Sequence, residues 1–171
     1  RPKDMDARIV LGEAYKMLGQ DDKCIEQWTA VLKQMPDNLP VYFQLANIIG
    51  RTLKPDAVET ALAAIPGAKR DLVNLAIGRL YDSRGQYEAA AEAYGRVASR
   101  QDTSEDARSL ARLFRAEALA RANHLDQALI ELDQLTTSRA GRMQALYYKA
   151  ALLAAGDRPA EADKALAEVV R

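Results

Sequence analysis

One spacing constrains this chain more than any other feature: five times, a residue on an apolar face, usually Gly or Ala, is followed twelve residues later by a second member, usually small. The pairs are Gly12 and Cys24, Ala46 and Val58, Gly78 and Ala90, Ala116 and Ala128, and Ala150 and Ala162, with Val58 the one poor fit. Successive first members lie 34, 32, 38 and 34 residues apart. A period of that length marks a chain built from one repeated supersecondary unit. Bulky residues recur in the same register. Three positions after each first small residue stand Tyr15, Ile49, Tyr81, Leu119 and Leu153. Four after the second stand Trp28, Leu62, Tyr94, Leu132 and Leu166, and three further on Val31, Ile65, Val97, Leu135 and Val169.

Offsets of three and four share one side of a helix. Each copy therefore predicts two amphipathic helices, with breakers between them at Gly19-Gln20-Asp21, Lys54-Pro55-Asp56, Arg84-Gly85-Gln86, Asn123-His124-Leu125 and Gly156-Asp157-Arg158-Pro159. Composition agrees: alanine supplies 32 of 171 residues and aromatics only 6%, a mixture that favours helix throughout. Asp56 followed by Glu59 has the form of a capping box. Four extra residues fall in Ser99-Arg100-Gln101-Asp102-Thr103-Ser104, where Thr103 or Ser104 is the cap candidate and where an internal hinge is expected. Ile65-Pro66-Gly67 cuts the second helix of the second copy short.

The small columns matter because they set distance: Gly or Ala on both helices lets the two backbones approach, and the bulky columns interdigitate around that contact. One hairpin cannot bury its apolar face alone, whereas stacked hairpins can. The expected fold is all-α, a right-handed α-solenoid of about five antiparallel helix-turn-helix repeats, covering residues 5–38, 39–70, 71–104, 105–142 and 143–171 as a single domain.

Chemistry is scarce in this sequence. Lys plus Arg and Asp plus Glu balance at 24 each, so bulk charge does not attract nucleic acid. A single cysteine, Cys24, and a single histidine, His124, rule out disulfide frameworks and multi-Cys/His zinc sites. Cys24 stands in a packing column and is expected to be a buried, inert thiol. His124 sits in a turn without a nucleophile beside it. Glu131 and Asp133, two apart on a helix, and Glu88 with Glu92 are expected to be solvated surface charge. Arg108, Arg112 and Arg115 form a stripe that could grip phosphate or carboxylate, against the plainer expectation of a solvated outer face beside Glu105 and Asp106. No phosphate loop or calcium loop is present, and no cofactor is expected. No apolar run approaches the roughly 20 residues that cross a bilayer, so no membrane insertion is expected.

The sequence resembles a tetratricopeptide repeat array. One whole repeat is matched by Leu11-Gly12, Tyr15, Gly19, Cys24, Trp28, Val31 and Pro36, and another by Ile77-Gly78, Tyr81, Gly85-Gln86-Tyr87, Ala90, Tyr94 and Val97. Arg115 and Lys149 depart from the pattern, standing where the family usually has an aliphatic residue; their stems are expected to lie along the seam with their charges in water. The resemblance implies that the first helix of each hairpin lines a concave surface that contacts peptides. That lining would comprise Ile9, Val10, Glu13, Met17, Phe43, Gln44, Asn47, Arg51, Leu75, Arg79, Ser83, Leu110, Leu113, Phe114, Glu117, Arg121, Tyr147, Tyr148 and Ala151, about half of them packing residues. The carboxylate-gripping pattern of the family needs Lys, Asn and Arg where this chain has Ile9, Glu13, Gln44, Leu72 and Ala76, so recognition of chaperone chain ends is not expected.

The function implied is a non-enzymatic scaffold that binds a partner protein or peptide, not nucleic acid, with an alternative role as a spacer such as the periplasmic arm of a bacterial exopolysaccharide or outer-membrane export protein. Arginine outnumbers lysine 16 to 8, which with abundant alanine hints at a GC-rich bacterial genome but leaves periplasm and cytoplasm both open. The chain begins Arg1-Pro2-Lys3-Asp4 and stops inside a helical pattern, so it reads as a piece of something longer. Its last helix, Ala160 to Arg171, carries Leu166, Val169 and Val170 with no polar helix after it, so self-association or further repeats are expected there.

Overall fold

The computed structural model describes residues 4–136 and 141–169, and every regular element among them is an α-helix. In chain order these are α1 (Met5–Met17), α2 (Asp21–Gln34), α3 (Leu39–Ile49), α4 (Pro55–Ala63), α5 (Arg70–Ser83), α6 (Tyr87–Ala98), α7 (Glu105–Arg121), α8 (Leu125–Thr136), α9 (Arg142–Ala155) and α10 (Pro159–Val169). Two helices per period are what the columns dictate. Four of the turns inside periods carry a left-handed residue, at Gly19, Gly85, Asn123 and Asp157. Glycine and, less easily, Asn or Asp accept that conformation, which is why these residues stop one helix and start the next. The turn between α3 and α4 in the second copy has no such residue; Pro55 at the start of α4 makes the break instead.

The chain divides into two compact units, Arg1–Arg84 and Gly85–Arg171. The division falls inside the third period, in the turn after α5. It does not fall at Ser99–Ser104, the hinge expected from the extra residues; that stretch lies within the second unit, where Ser104 caps α7 by accepting from the Ala107 amide at 3.3 Å. Thr103, the other cap candidate, is buried.

In the first unit α1 packs on α2, α2 on α3, and α3 and α4 on α5. Its core is Trp28, Tyr42, Leu32, Leu45, Leu62, Leu75 and Val31, all fully buried. Polar fasteners join successive hairpins: Arg51 forks onto Asp21 at 2.7 and 3.0 Å, Arg84 donates to the carbonyls of Gly50 and Leu53, and the Tyr42 hydroxyl accepts from the Lys69 amide at 3.0 Å. The capping box expected at Asp56 is absent. The cap position is Lys54, because Pro55 opens the helix, and the Asp56 carboxylate accepts from the Tyr81 hydroxyl at 3.3 Å.

In the second unit α6 packs on α7, α7 on α8, α8 on α9 and α9 on α10. Tyr94 meets Phe114 with ring centroids 5.4 Å apart, and the Arg115 stem lies against Gly95. Leu129, Ala150, Leu153, Ala162 and Ala165 close the far end of this core. All ten members of the small columns are buried.

Candidate protein-binding surface

The register of the repeat decides which side chains each first helix offers to solvent. One position after the small residue stand Glu13, Asn47, Arg79, Glu117 and Ala151, and five after it Met17, Arg51, Ser83, Arg121 and Ala155. Glu13 and Glu117 are half-buried and the other eight are exposed. The columns two and three positions before the small residue behave differently. Leu75 and Ala76 are core, so Leu75 does not line a surface; Phe43, Gln44, Leu113, Phe114 and Tyr148 are half-buried; and Tyr147 is 54% exposed. Phe114 is engaged with Tyr94 inside the second unit. Round the helix, +1 and +5 fall between the −3 and −2 columns, so the open face is narrow and is flanked on both sides by columns that are mostly half-buried or core.

Several of these charges meet counter-charges inside their own unit. Glu13 pairs with Lys16 at 2.5 Å, Arg51 with Asp21, and Glu117 with Arg121 at 3.4 Å. The Arg121 guanidinium also lies 5.7 Å from the Tyr87 ring centre. In the first unit the accessible columns run acid, amide and cation (Glu13, Asn47, Arg79) beside the thioether of Met17, which is 85% exposed. In the second unit they combine Glu117 and Arg121 on α7 with the ring of Tyr147 on α9. Exposed pairs of this kind are worth less than about 1 kcal/mol each, so a partner's charges can displace them at small cost.

Two expectations about charge are overturned. Arg108, Arg112 and Arg115 form neither a solvated face nor an anion grip. Arg108 donates to the carbonyls of Arg100, Gln101 and Thr103, clasping the loop before α7. Arg112 and Arg115 both bind Glu131, at 3.0 and 2.6 Å. Glu131, expected to be solvated, is 6% exposed. Because α7 and α8 are antiparallel, its carboxylate arrives between two guanidinium groups that are three residues apart, one helical turn. The charges expected in water are likewise paired: Arg115 with Glu131, and Lys149 with Asp133.

A cleft of about 700 Å³ lies between α7 and α8, lined by Ser109, Arg112, Ile130, Asp133 and Gln134 among others. No column of the repeat announced it. Ile130, 56% exposed, is the one signal, an apolar residue off the packing columns of its helix.

Cys24 is fully buried. Burial first, then the nearby carboxylates of Asp21 and Glu13, push its thiol from the ordinary 9.0 up to about 11. The folded state thus holds this proton more tightly than the unfolded chain. Its contribution to stability is whole below about pH 9, declines as pH rises from 9 to 11, and is gone above that. Urea midpoints measured across this window should fall more steeply for the parent chain than for Cys24→Ala, and equal slopes would contradict the shift. His124 is exposed in the turn between α7 and α8. Among the described residues, no group of three or more His, Cys, Asp or Glu is placed to hold a metal ion, and no helix is long and apolar enough to cross a membrane.

No protein-family model matches the chain, and no curated protein matches it in sequence. Solved structures do match it in fold. MamA protein superposes with a TM-score of 0.59 at 15% identity, covering 97% of this chain and 90% of its own. A second MamA structure gives 0.59 at 16% identity, with 93% and 92% covered. A Podosopora anserina kinesin light chain with nearly identical TPR-like repeats gives 0.61 at 18% identity, with 99% and 94% covered. At such identities the likeness concerns fold, and the fold is that of tandem TPR-like helical hairpins.

Proposed function

We propose, starting from a fold of TPR-like hairpins, that this chain is a non-enzymatic scaffold whose first helices hold a segment of a partner polypeptide. The observation that carries this reading is the accessible pair of columns. Across the two units, eight of the ten +1 and +5 side chains are exposed and the other two half-buried, while the flanking −3 and −2 columns are mostly half-buried or core. A partner docking there meets side chains whose backbones are already ordered by helix packing. Little conformational entropy is then lost on binding, and modest contacts suffice. In the first unit the exposed Met17 is the apolar anchor and Asn47 and Arg79 supply polar register; in the second Tyr147 is the anchor and the Glu117–Arg121 pair supplies the register. With charges in balance and guanidinium groups of α7 spent on Glu131 and loop carbonyls, nucleic acid is not the favoured ligand.

Panning a random-peptide phage library on the immobilised chain tests the proposal. Enriched peptides seated on the first unit should lose at least about tenfold in affinity, roughly 1.4 kcal/mol, on Arg79→Glu, and those seated on the second unit should lose as much on Tyr147→Ala. Melting should be unchanged, and Lys33→Ala, on the exposed side of α2, should have no effect. Peptides that bind all variants equally would remove these columns as the site. Phe114→Ala is a poor probe because it strips a partner from Tyr94 and weakens the unit itself.

A further inference from the structure

Within the first unit, Glu13 on the open columns is answered by Lys16, one turn further along α1, and the arrangement is more than an exposed ion pair. The Lys16 ammonium lies 2.5 Å from Glu13 Oε2, donates to Gln44 Oε1 at 3.2 Å, and stands 5.6 Å from the centre of the Trp28 ring. It therefore engages α1, α2 and α3 at once. Trp28 is fully buried and its Nε1 donates to the Ile9 carbonyl, so the ring face under the ammonium is fixed. Glu13 and Gln44 both belong to the columns expected to line the surface. Lys16 does not, and its side chain is 27% exposed. A bare exposed pair yields to an incoming charge, because holding two long side chains together is worth little. A lysine with partners on three helices has already given up its rotamer freedom and stays in place.

We propose that Lys16 sets the specificity of the first unit, an inference that rests on the scaffold reading above: the stretch of partner that crosses α1 and α3 is uncharged. Lys16 acts through Glu13 as a positioning residue. It neutralises that carboxylate and fills the Gln44 oxygen, which leaves the Gln44 amide nitrogen to donate. Asn47, exposed nearly one turn beyond Gln44 on α3, offers both a donor and an acceptor. A segment held there by its own amide or hydroxyl groups, with an apolar side chain on Met17, satisfies all of these at once. A basic residue in that place would have to take Glu13 from Lys16 and would set two cations side by side. An acidic one would reach Lys16 only by crowding Glu13 with a second carboxylate. Both charges are rejected by the same locked pair.

The test is to pan one random-peptide library on the parent and on charge variants, keeping peptides whose binding weakens on Asn47→Ala. Relative to those from the parent, peptides from Lys16→Met should gain about one positive charge and those from Glu13→Gln about one negative charge. Lys16→Met combined with Glu13→Gln, and separately Lys16→Arg, which keeps the ion pair, should both return to the parental charge. Peptides selected on Lys16→Met should bind the parent about fivefold more weakly. Glu13→Gln leaves the contacts of Trp28 untouched and carries the test where Lys16→Met unfolds. A merely structural Lys16 would weaken every peptide alike and leave their charge unchanged. The same peptide charge on all chains, or a Lys16→Arg that behaves like Lys16→Met, would overturn this proposal alone. Peptides indifferent to both Asn47→Ala and Arg79→Glu would instead remove the first unit's open columns as a site.

Discussion

Replacing Gly12 by alanine is expected to cost the first unit about 3 kcal/mol, even though alanine is the better helix former by about 1 kcal/mol. A Cβ at this position would stand 2.5 Å from Cδ1 and 2.7 Å from Cε2 of the Trp28 indole, and nearer still to Nε1. Trp28 cannot retreat. It is fully buried, and its Nε1 donates to the Ile9 carbonyl at 3.3 Å, one turn before Gly12 on the same helix. The strain is resolved by separating α1 from α2 or by turning the indole out of the core, and both expose apolar surface. Thermal melting should fall by about 10 °C, with an early change in Trp28 fluorescence. Pairing Gly12→Ala with Trp28→Leu should be far less damaging than the two single losses added together. A loss below about 1 kcal/mol for Gly12→Ala would mean that close approach is not what the glycine provides.

The second large effect is expected at Glu131. Alanine there leaves the guanidinium groups of Arg112 and Arg115 facing a partly buried space with no counter-charge, and removing one member of such a set costs about 3 kcal/mol. Both arginines keep some solvent access, with side chains 23% and 34% exposed, which holds the loss at the lower end of what buried charge produces. Glu131→Gln should cost less, because an amide oxygen still accepts from one arginine. Asp133, two residues on and 54% exposed with Lys149, supplies the contrast: Asp133→Ala should cost under about 1 kcal/mol. Chemical unfolding of the three variants checks the order, and equal effects at Glu131 and Asp133 would show that burial is not what separates them.

Glu131 also shows where reading the sequence ends. A carboxylate two residues from another on a helix looks like surface, because spacing along one helix places a residue only against its own neighbours. Whether it is buried depends on what the adjacent helix brings opposite, and here that is two arginines one turn apart. The same holds for Arg108, whose stem returns to three carbonyls of its own preceding loop. Among the nineteen side chains expected to line the surface, those in the +1 and +5 columns are mostly exposed and those in the −3 and −2 columns mostly half-buried or core. Phe114 carries the same apolar signal as an anchor would but spends it on Tyr94.

The linear order of residues was enough to specify ten helices in five periods, the small columns between them and the left-handed turns that separate them. Each is a local property: helical periodicity, the absence of a Cβ, and the torsion angles that Gly, Asn and Asp tolerate. Tertiary structure alone decided that the division into units falls after Arg84, that Glu131 is a buried ion-pair centre, and that Arg108 clasps the loop before α7. Those outcomes depend on which helix lies against which face, and that pairing is settled by the total apolar area and charge that packing can satisfy at once, a sum over residues far apart in the chain.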